Sequence, residues 1–360
     1  MASPLPLDHW LPYLLSVWRD GPGPADGLTG PEADRVAAGV RELSRGLTGS
    51  RGLAGQRYLA RGDLLGAYLL YYWPVSFAQT QWALRQAGIV PAGRALDLGS
   101  GPAPGAFALR EAGWTRVTAA DRSREALETA RKLARLSGAA LETAVWEEGG
   151  PVPAGPWNLI VAGHLLNEIA PGETNRIERR AALMDELARQ LAPDGRILVL
   201  EPASHAPNAD ALSLRDRLVG RGWSVDGPCF FQGGCPALAA GAACHDELRW
   251  KVPHLVAQTA RRAGIDKRTL PFTWMVFRPR SAAAADPALV RVVSEPLLNK
   301  AGRRRVVVCG VDGRFSLSAP GAFRAPVWIG VSRGQALRVT GPEPREGGWG
   351  IGPSTRVERV

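Results

Sequence analysis

Three of the four cysteines of this 360-residue chain fall within one short loop that is rich in glycine and proline. They are Cys229, Cys235 and Cys244, and 64 residues separate them from the fourth, Cys309. A loop of this composition buries little apolar side-chain mass, so a metal centre is the simplest reason for three thiols to occur there. The loop is therefore a candidate metal site.

The spacing of the cysteines bears on the kind of metal. Zinc ribbons usually pair their cysteines as C-x-x-C, and neither the x5 nor the x8 spacing here fits that pattern. Irregular spacing, a distant fourth ligand and Pro236 directly after Cys235 are compatible with an iron–sulfur cluster on four cysteines. Zinc and unligated cysteines are the alternatives, and His245 is the substitute ligand if Cys309 points elsewhere.

A second set of residues indicates a ligand that contains a nucleoside. The segment ALDLGSGPAPG, residues 95–105, places Gly99 and Gly101 between an apolar run and a helical stretch. Glycines there let the backbone approach a ligand closely, and Asp121, about 20 residues later, can accept hydrogen bonds from ribose hydroxyls. A loop that only makes a tight turn is the alternative without a ligand.

Asp97 bears on the choice between two cofactors. A dinucleotide fold needs G-x-G-x-x-G so that the helix N-terminus receives the pyrophosphate, and here the third glycine falls one place late. The carboxylate of Asp97, two residues before Gly99, would repel a pyrophosphate, whereas it suits the ammonium and sulfonium groups of S-adenosylmethionine. The sequence therefore favours S-adenosylmethionine over NAD.

Residues farther along the predicted sheet are additional candidates. Trp146 follows the third predicted strand, where it can stack on adenine or fill the core. Asn167 and Glu168 follow the fourth predicted strand, near the reacting edge of the sheet. His164 lies there too, although a lone histidine is more often structural than a general base. Because no Asn/Asp-Pro-Pro-aromatic motif follows the fourth strand, we assign no catalytic residue.

The apolar pattern predicts the elements that position these residues. Five short apolar runs alternate with helical stretches, which is typical of a parallel doubly wound sheet with right-handed crossovers. The predicted strands are Ala95–Leu98, Val117–Ala120, Leu141–Val145, Leu159–Ala162 and Ile197–Leu200. The predicted helices between them are Ala103–Ala112, Ser123–Leu136 and, less sharply bounded, Thr174–Leu191.

The length of the chain exceeds that of a usual single domain, so we expect more than one part. The parts are a helical N-terminal segment over 1–90, a sheet domain over 91–280 with the cysteine loop at 226–250, and a small β-rich extension over 281–360. In the N-terminal segment we expect Asp63 to cap a helix that Pro74 ends or kinks.

Composition and charge bear on the partners. A net charge of +10 suggests a polyanion, most simply a nucleic acid, although an arginine-rich surface without a partner is the alternative. No run of about 18 apolar residues indicates a membrane span. The first residues, MASPLPLDHW, lack the basic and apolar blocks of a secretory signal. We expect a cytoplasmic monomer without membrane attachment.

The motifs together carry a family resemblance. Residues 94–201 resemble class I methyltransferases. Over about 68–315, the chain is similar to the mitochondrial small-ribosomal-subunit methyltransferase-like family, which has bacterial relatives. The similarity rests on AYLLYYWP, DLGSGPAPG, LLNE, LVLEP and the C-x5-CP-x8-CH cysteine pattern.

The resemblance implies an α/β fold of the class I S-adenosylmethionine-dependent methyltransferase type, with a Rossmann-like sheet. It also implies a [4Fe–4S] cluster on the four cysteines and association with small-subunit ribosomal RNA during ribosome assembly. The residues expected to bind S-adenosylmethionine are Asp97, Gly99, Gly101, Asp121, Trp146 and Asn167. Besides a methyltransferase that acts on this RNA, a non-catalytic assembly factor and a small-molecule methyltransferase with a structural metal remain open.

Overall fold

The computed structural model describes residues 7–19, 24, 27–54, 56–265, 268–279, 286–300 and 302–360. Residues 1–6, which carry part of the argument against a secretory signal, and the predicted domain boundary at 281 lie outside this part. The chain forms two compact units. The first comprises Met1–Ser204 and Leu248–Phe272, and the second comprises His205–Glu247 and Thr273–Val360.

The described helices and strands follow in chain order. The α-helices are α1 (Leu11–Arg19), α2 (Gly30–Ser44), α3 (Gly62–Ala67), α4 (Trp73–Gln86), α5 (Pro104–Glu111), α6 (Arg124–Ser137), α7 (Arg176–Ala188), α8 (His205–Val219), α9 (Pro236–Ala239), α10 (His254–Ala263) and α11 (Pro326–Ile329). The strands are β1 (Arg94–Leu98), β2 (Arg116–Asp121), β3 (Glu142–Val145), β4 (Trp157–Gly163), β5 (Leu191–Pro202), β6 (Ser224–Gly227), β7 (Asp246–Arg249), β8 (Thr269–Arg278), β9 (Leu289–Val292), β10 (Leu297–Leu298), β11 (Arg304–Gly310), β12 (Gly313–Ala319), β13 (Ala336–Thr340), β14 (Glu343–Arg345), β15 (Gly348–Gly350) and β16 (Arg356–Arg359). No helix within the described ranges is both long and apolar enough to cross a membrane.

The N-terminal helices show how proline and capping residues set helix ends. Pro31 lies in the first turn of α2, where it costs no hydrogen bond, and the backbone N–H of Thr29 donates to the Glu32 carboxylate at 2.8 Å. Pro74 likewise lies in the first turn of α4, after a π-helical turn over Tyr68–Tyr72. The helical path therefore changes its hydrogen bonding at this proline, as expected of an interruption there.

One predicted helix cap is wrong. α3 begins at Gly62 with Arg61 at the N-cap position, so Asp63 lies inside the first turn instead of capping it. Asp63 accepts a hydrogen bond from Arg61 at 2.8 Å. The carboxylate thus still favours the helix start, through the charge of the helix N-terminus.

A parallel sheet with the strand order β3-β2-β1-β4-β5 forms the centre of the first unit, so the chain has the predicted mixed α/β fold. All five predicted strands are confirmed, although β4 and β5 extend beyond the predicted ends. β2 pairs with one edge of β1, and β4, which comes later in the chain, pairs with its other edge. In such sheets, ligands bind at this switch point, beyond the carboxyl ends of the strands.

The second unit contains an antiparallel pair, β6 with β8, where Val225 lies opposite Phe277. Helix α8 begins at His205 and has Pro207 in its first turn, where proline is tolerated.

A second, largely antiparallel sheet in this unit has the order β14-β15-β12-β11-β9-β13-β16. Its apolar core includes Val292, Val306 and Val308. Residues of β11 alternate between this buried face and a more exposed face. Cys309 lies on β11 opposite Arg291 of β9 and Arg314 of β12, so strand pairing fixes its position in the fold.

Candidate functional site

The glycine loop begins directly after β1, at the switch point of the first sheet. The backbone N–H groups of Gly99 and Ser100 donate to the carbonyl oxygen of Ala120, at the end of β2, at 2.8 and 3.0 Å. Gly99 has φ +68°, and a Cβ there would lie 2.6 Å from a methyl carbon of Leu165. Both the backbone conformation and the close approach require glycine at this position.

Asp97 is buried at the end of β1, under the glycine loop. Its Oδ2 accepts a hydrogen bond from the backbone N–H of Ala106, in α5, at 2.7 Å. The pKa of Asp97 is raised to about 7, mainly by burial; the Ala106 N–H opposes this shift and the neighbouring Asp121 adds to it. The carboxyl group can therefore gain or lose its proton near neutral pH.

Asp121 joins the end of β2 to the glycine loop. Its Oδ2 accepts from the N–H of Gly101 at 2.7 Å, and its Oδ1 accepts from the N–H of Ser123 at 2.8 Å. Burial raises the pKa of this carboxyl, and the two N–H groups oppose that shift. Because a carboxylate has about four acceptor positions, Asp121 can still accept hydrogen bonds from ligand hydroxyls.

Asn167 and Glu168 form a 3-10 turn, Leu166–Glu168, directly after β4. The N–H of Asn167 donates to Glu201 Oε1 at 3.3 Å, and its Nδ2 donates to the carbonyl oxygen of His164 at 2.7 Å. Burial raises the pKa of Glu201, at the end of β5, to about 8. We call Asp97, Asp121, Glu168 and Glu201 the carboxylate site.

Two further predicted residues lie at the same edge of the sheet. Trp146 follows β3, and its backbone N–H donates to the carbonyl oxygen of Asp121 at 3.1 Å. Its side chain is buried, and its indole nitrogen has no hydrogen-bond partner among the described residues. His164 lies within hydrogen-bond distance of Gln79, with 3.0 Å between Nε2 and Oε1. The structure thus brings both residues to the predicted edge.

Sequence reasoning missed the residues that the N-terminal segment brings to this edge. The hydroxyl of Tyr58 donates to Glu168 Oε1 at 3.1 Å, and Arg51 Nη2 donates to the carbonyl oxygen of Asn167 at 2.7 Å. These partners lie more than a hundred residues apart in the chain, at separations of 110 and 116. The Tyr-rich stretch AYLLYYWP was the one signal nearby. Burial raises the pKa of its Tyr68, and the charges of Asp97 and Asp121 add to that rise.

The four cysteines come together within the second unit. Cys229 and Cys235 follow β6, Cys244 precedes β7, and Cys309 lies on β11. The pKa of Cys244 is raised to about 12, mainly by burial, with smaller contributions in the same direction from Cys229, Cys235 and Cys309. The charge of each of the other three thiols would therefore act on Cys244. We call these four residues the thiol site.

Helix α8 holds the backbone of the cysteine loop. The N–H of Cys235 donates to both carboxylate oxygens of Asp216, at 2.9 and 3.0 Å. Asn208 holds Cys244 from both sides, because it accepts from the Cys244 N–H at 3.1 Å and donates to its carbonyl oxygen at 2.7 Å. The loop that carries three of the thiols is therefore fixed without a disulfide.

Three arginines lie around the thiol site. Arg215 and Arg291 lower the pKa of Cys229, and Arg314 lowers that of Cys309, against the larger effect of burial. Arg215 Nε and Arg314 Nη1 are buried and have no acceptor among the described residues. Buried donors without acceptors are costly, so a group with further acceptor atoms would fit between these arginines and the thiols.

A site for one metal ion is not formed by the residues that the structure describes. In that part of the chain, no three His, Cys, Asp or Glu side chains are arranged to hold a single ion. His245, the predicted substitute ligand, lies 3.5 Å from Glu247, between Nε2 and Oε1. Metal binding at the thiol site therefore stays a prediction.

Comparison with known proteins gives one family match and several distant structural likenesses. The model of the family described as "Mitochondrial small ribosomal subunit Rsm22" matches residues 66–319. No protein of the curated set matches the chain.

The solved structures similar to the chain include several methyltransferases. Ribosomal protein L11 methylase from Lactobacillus delbrueckii subsp. bulgaricus is 17% identical, with 57% of this chain and 79% of that chain covered and a TM-score of 0.35. A methyltransferase from Pyrococcus furiosus is 15% identical, over 56% and 81%, with a TM-score of 0.37. Magnesium protoporphyrin IX methyltransferase from Synechocystis is 14% identical, over 68% and 97%, with a TM-score of 0.38. These scores are low, so the fold assignment rests on the strand order of the chain itself.

Proposed function

Since this chain belongs to the family described as mitochondrial small ribosomal subunit Rsm22, we propose that it is a methyltransferase-like protein of ribosome assembly. It binds S-adenosylmethionine at the carboxylate site, holds a [4Fe–4S] cluster at the thiol site, and acts on or docks to small-subunit ribosomal RNA. The observation that carries this proposal is the extent of the family match, because residues 66–319 include both sites.

The residues of the carboxylate site fit a cationic ligand. Asp97 is buried, and the groups that act on its pKa besides burial are one N–H and a second carboxyl. Taking up positive charge there would stabilise the ionised carboxylate. Asp97 would hold the ammonium group, and Asp121 would accept from the ribose hydroxyls. The backbone of Gly99 and Gly101 leaves room for the ligand.

S-adenosylmethionine supplies a methyl group on a positively charged sulfur. The chain's own residues would orient the acceptor and exclude water. Asn167 and Glu168, fixed by Arg51 and Tyr58, lie at the carboxyl end of β4. We propose Trp146 and Asn167 as further contacts of the cofactor, and no residue is assigned as a catalytic base.

The residues of the thiol site fit a cluster of several irons better than one zinc ion. Four thiolates around one zinc, at Zn–S distances of about 2.3 Å, lie roughly 4 Å from one another. The x5 and x8 spacings of the cysteine loop, which are not those of a zinc ribbon, favour the cluster. The unpartnered N–H groups of Arg215 and Arg314 provide donors toward sulfur atoms.

The proposed RNA partner is supported by charge. The net charge is +10, and the run Arg303, Arg304, Arg305 leads into β11 of the second sheet. Arginines bind phosphates whatever the RNA sequence, so the affinity for RNA should fall steeply as the salt concentration rises. A monomeric state, a cytoplasmic location and the domain boundaries at 90 and 280 stay predictions, and the family description names mitochondria.

The first experiment is metal analysis of protein purified without oxygen. Iron and acid-labile sulfide near four each per chain, with the broad visible absorption of an iron–sulfur cluster, are expected. Zinc, or no metal, would overturn the cluster part of the proposal, and zinc would favour a small-molecule methyltransferase with a structural metal.

The second experiment separates an enzyme from an assembly factor. Asp97→Ala should abolish S-adenosylmethionine binding and should remove a methyl mark from small-subunit ribosomal RNA in cells. The exposed Asp194→Asn is the matched control in the same unit. Unchanged RNA methylation together with unchanged ribosome association would overturn the enzymatic reading and leave the non-catalytic assembly factor.

A further inference from the structure

Arg215 is a buried cation in contact with the cysteine loop. It lies on α8 and is 1% exposed. Its Nη1 and Nη2 donate to the carbonyl oxygens of Gly233 and Phe231, and Nη1 also donates to Asp216 at 2.6 Å. Phe231 and Gly233 lie between Cys229 and Cys235 in the chain, so the guanidinium is held against the loop that carries these two thiols. Its Nε has no acceptor among the described residues.

The location of this charge calls for a physical reason. Burying a guanidinium costs free energy unless anionic partners and hydrogen bonds offset the cost. Asp216 offsets part of it, but that carboxylate is itself shared with the N–H of Cys235. The remaining partners are the sulfur of Cys229 and the field of the other thiols. Ionised sulfur atoms at the thiol site would supply the missing negative charge.

We propose that Arg215 is a positioning residue that raises the reduction potential of the iron–sulfur cluster. It does so by holding a buried positive charge against the loop between Cys229 and Cys235. The inference rests on the proposed function, since it needs the cluster. Hydrogen bonds to sulfur and local charge are two of the factors that set cluster potentials.

The direction of the effect follows from charge. Reduction adds one electron, and hence one negative charge, to a cluster that its thiolates already make anionic. A fixed cation stabilises the more negative form, so it makes reduction easier. Arg215 therefore favours the reduced cluster.

Asp216 provides an internal test of this sign. Its carboxylate lies at the N–H of Cys235 and next to the guanidinium of Arg215. A negative charge there opposes reduction, so removing it should shift the potential in the opposite direction. Asp216→Asn keeps the shape of the side chain and one acceptor oxygen for the Cys235 N–H.

The experiment compares full-length wild-type protein with R215Q, R215K and D216N, all purified without oxygen. Arg338→Gln is the matched control, because Arg338 lies in the same unit but pairs with the distant carboxylate Asp286 at 2.6 Å. Each protein is analysed for iron and sulfide and is then titrated with dithionite in the presence of mediator dyes. The reduced cluster is measured by electron paramagnetic resonance.

The expected midpoint potential is lower than wild type for R215Q, intermediate for R215K, higher for D216N and unchanged for R338Q. A cluster-loaded R215Q with the wild-type potential would overturn the inference. If R215Q fails to hold iron, D216N decides, and an unshifted or lowered potential in D216N would overturn it as well. Wild-type protein without iron and sulfide would instead overturn the proposed function, and this inference with it.

Discussion

The carboxylate site and the thiol site solve the same electrostatic problem in different ways. Both bury acidic groups, and in both burial raises the pKa, to about 7 for Asp97 and about 12 for Cys309. Besides burial, a backbone N–H and a second carboxyl act on the pKa of Asp97, whereas arginines act on the pKa of the thiols. The first site thus suits a ligand that brings positive charge, whereas the second suits a group that keeps its thiols ionised beside the arginines.

The clearest test of the contrast between the two sites is to remove one site and measure whether the other still binds its ligand. In Cys309→Ser, a thiolate ligand is replaced by a hydroxyl, so most of the bound iron and sulfide should be lost while S-adenosylmethionine binding is retained. Iron and sulfide analysis and calorimetric titration of the cofactor check the two halves. Iron content equal to that of wild type would show that Cys309 is not a ligand.

The effect of Glu201 on the unfolding free energy provides a test of the carboxylate site. Burial raises the pKa of Glu201 to about 8, and the charge of Arg180 lowers it only in part. For an acid with a raised pKa, stability is full below the unfolded pKa and is lost as pH rises through the folded one. Between pH 5.5 and 8.5 this group should remove up to about 3 kcal/mol of unfolding free energy.

Glu201→Gln should remove that pH-dependent loss, because an amide does not ionise. Urea unfolding of both proteins at the two pH values measures it, and the difference between wild type and variant cancels other titrating groups. Parallel pH dependence in the two proteins would contradict the assignment of the loss to Glu201.

The cationic ligand proposed for the carboxylate site predicts a pH dependence of binding. The pKa of Asp97 is about 7 without ligand, raised by burial and by the neighbouring Asp121, and a cation favours the ionised form. The affinity for S-adenosylmethionine should therefore fall about tenfold per pH unit below pH 7 and level off above it. Calorimetric titration from pH 5.5 to 8 checks this, and Asp97→Asn should bind weakly without that slope.

The smallest expected effect concerns the N-terminal segment at the sheet edge. Tyr58→Phe removes the hydrogen bond to Glu168 and leaves a carboxylate oxygen without that donor. The unfolding free energy should fall by about 1 kcal/mol, as measured by denaturant titration. Tyr13→Phe, at a partly exposed position on α1, is the control, and equal effects in the two variants would contradict a specific role.

The sheet and the glycine loop could be predicted because their signals are local. Apolar runs of strand length alternate with helices, and Gly99, Gly101 and Asp121 stand at fixed offsets from the strand ends. The structure brings Gly101 and Asp121 into a direct hydrogen bond.

The partners of the two sites could not be predicted because they depend on contacts distant in the chain. Arg51 and Tyr58 reach the end of β4 from more than a hundred residues away, and no spacing rule links them to it. Arg215 likewise reads as an ordinary charged residue on a helix. Only the fold shows that it is 1% exposed beside Cys229. The strands near the C-terminus were predicted only as a small β-rich extension.

The position of Cys309 has a consequence for how the protein is made. Translation synthesises the N-terminal parts first, so three thiols leave the ribosome well before the fourth. Between Cys244 and Cys309 lie 64 residues. The complete set exists only once β11 has been synthesised and has paired in its sheet. A chain that terminates early carries three of the four proposed ligands. If the cluster needs all four, its presence would report that synthesis has passed Cys309.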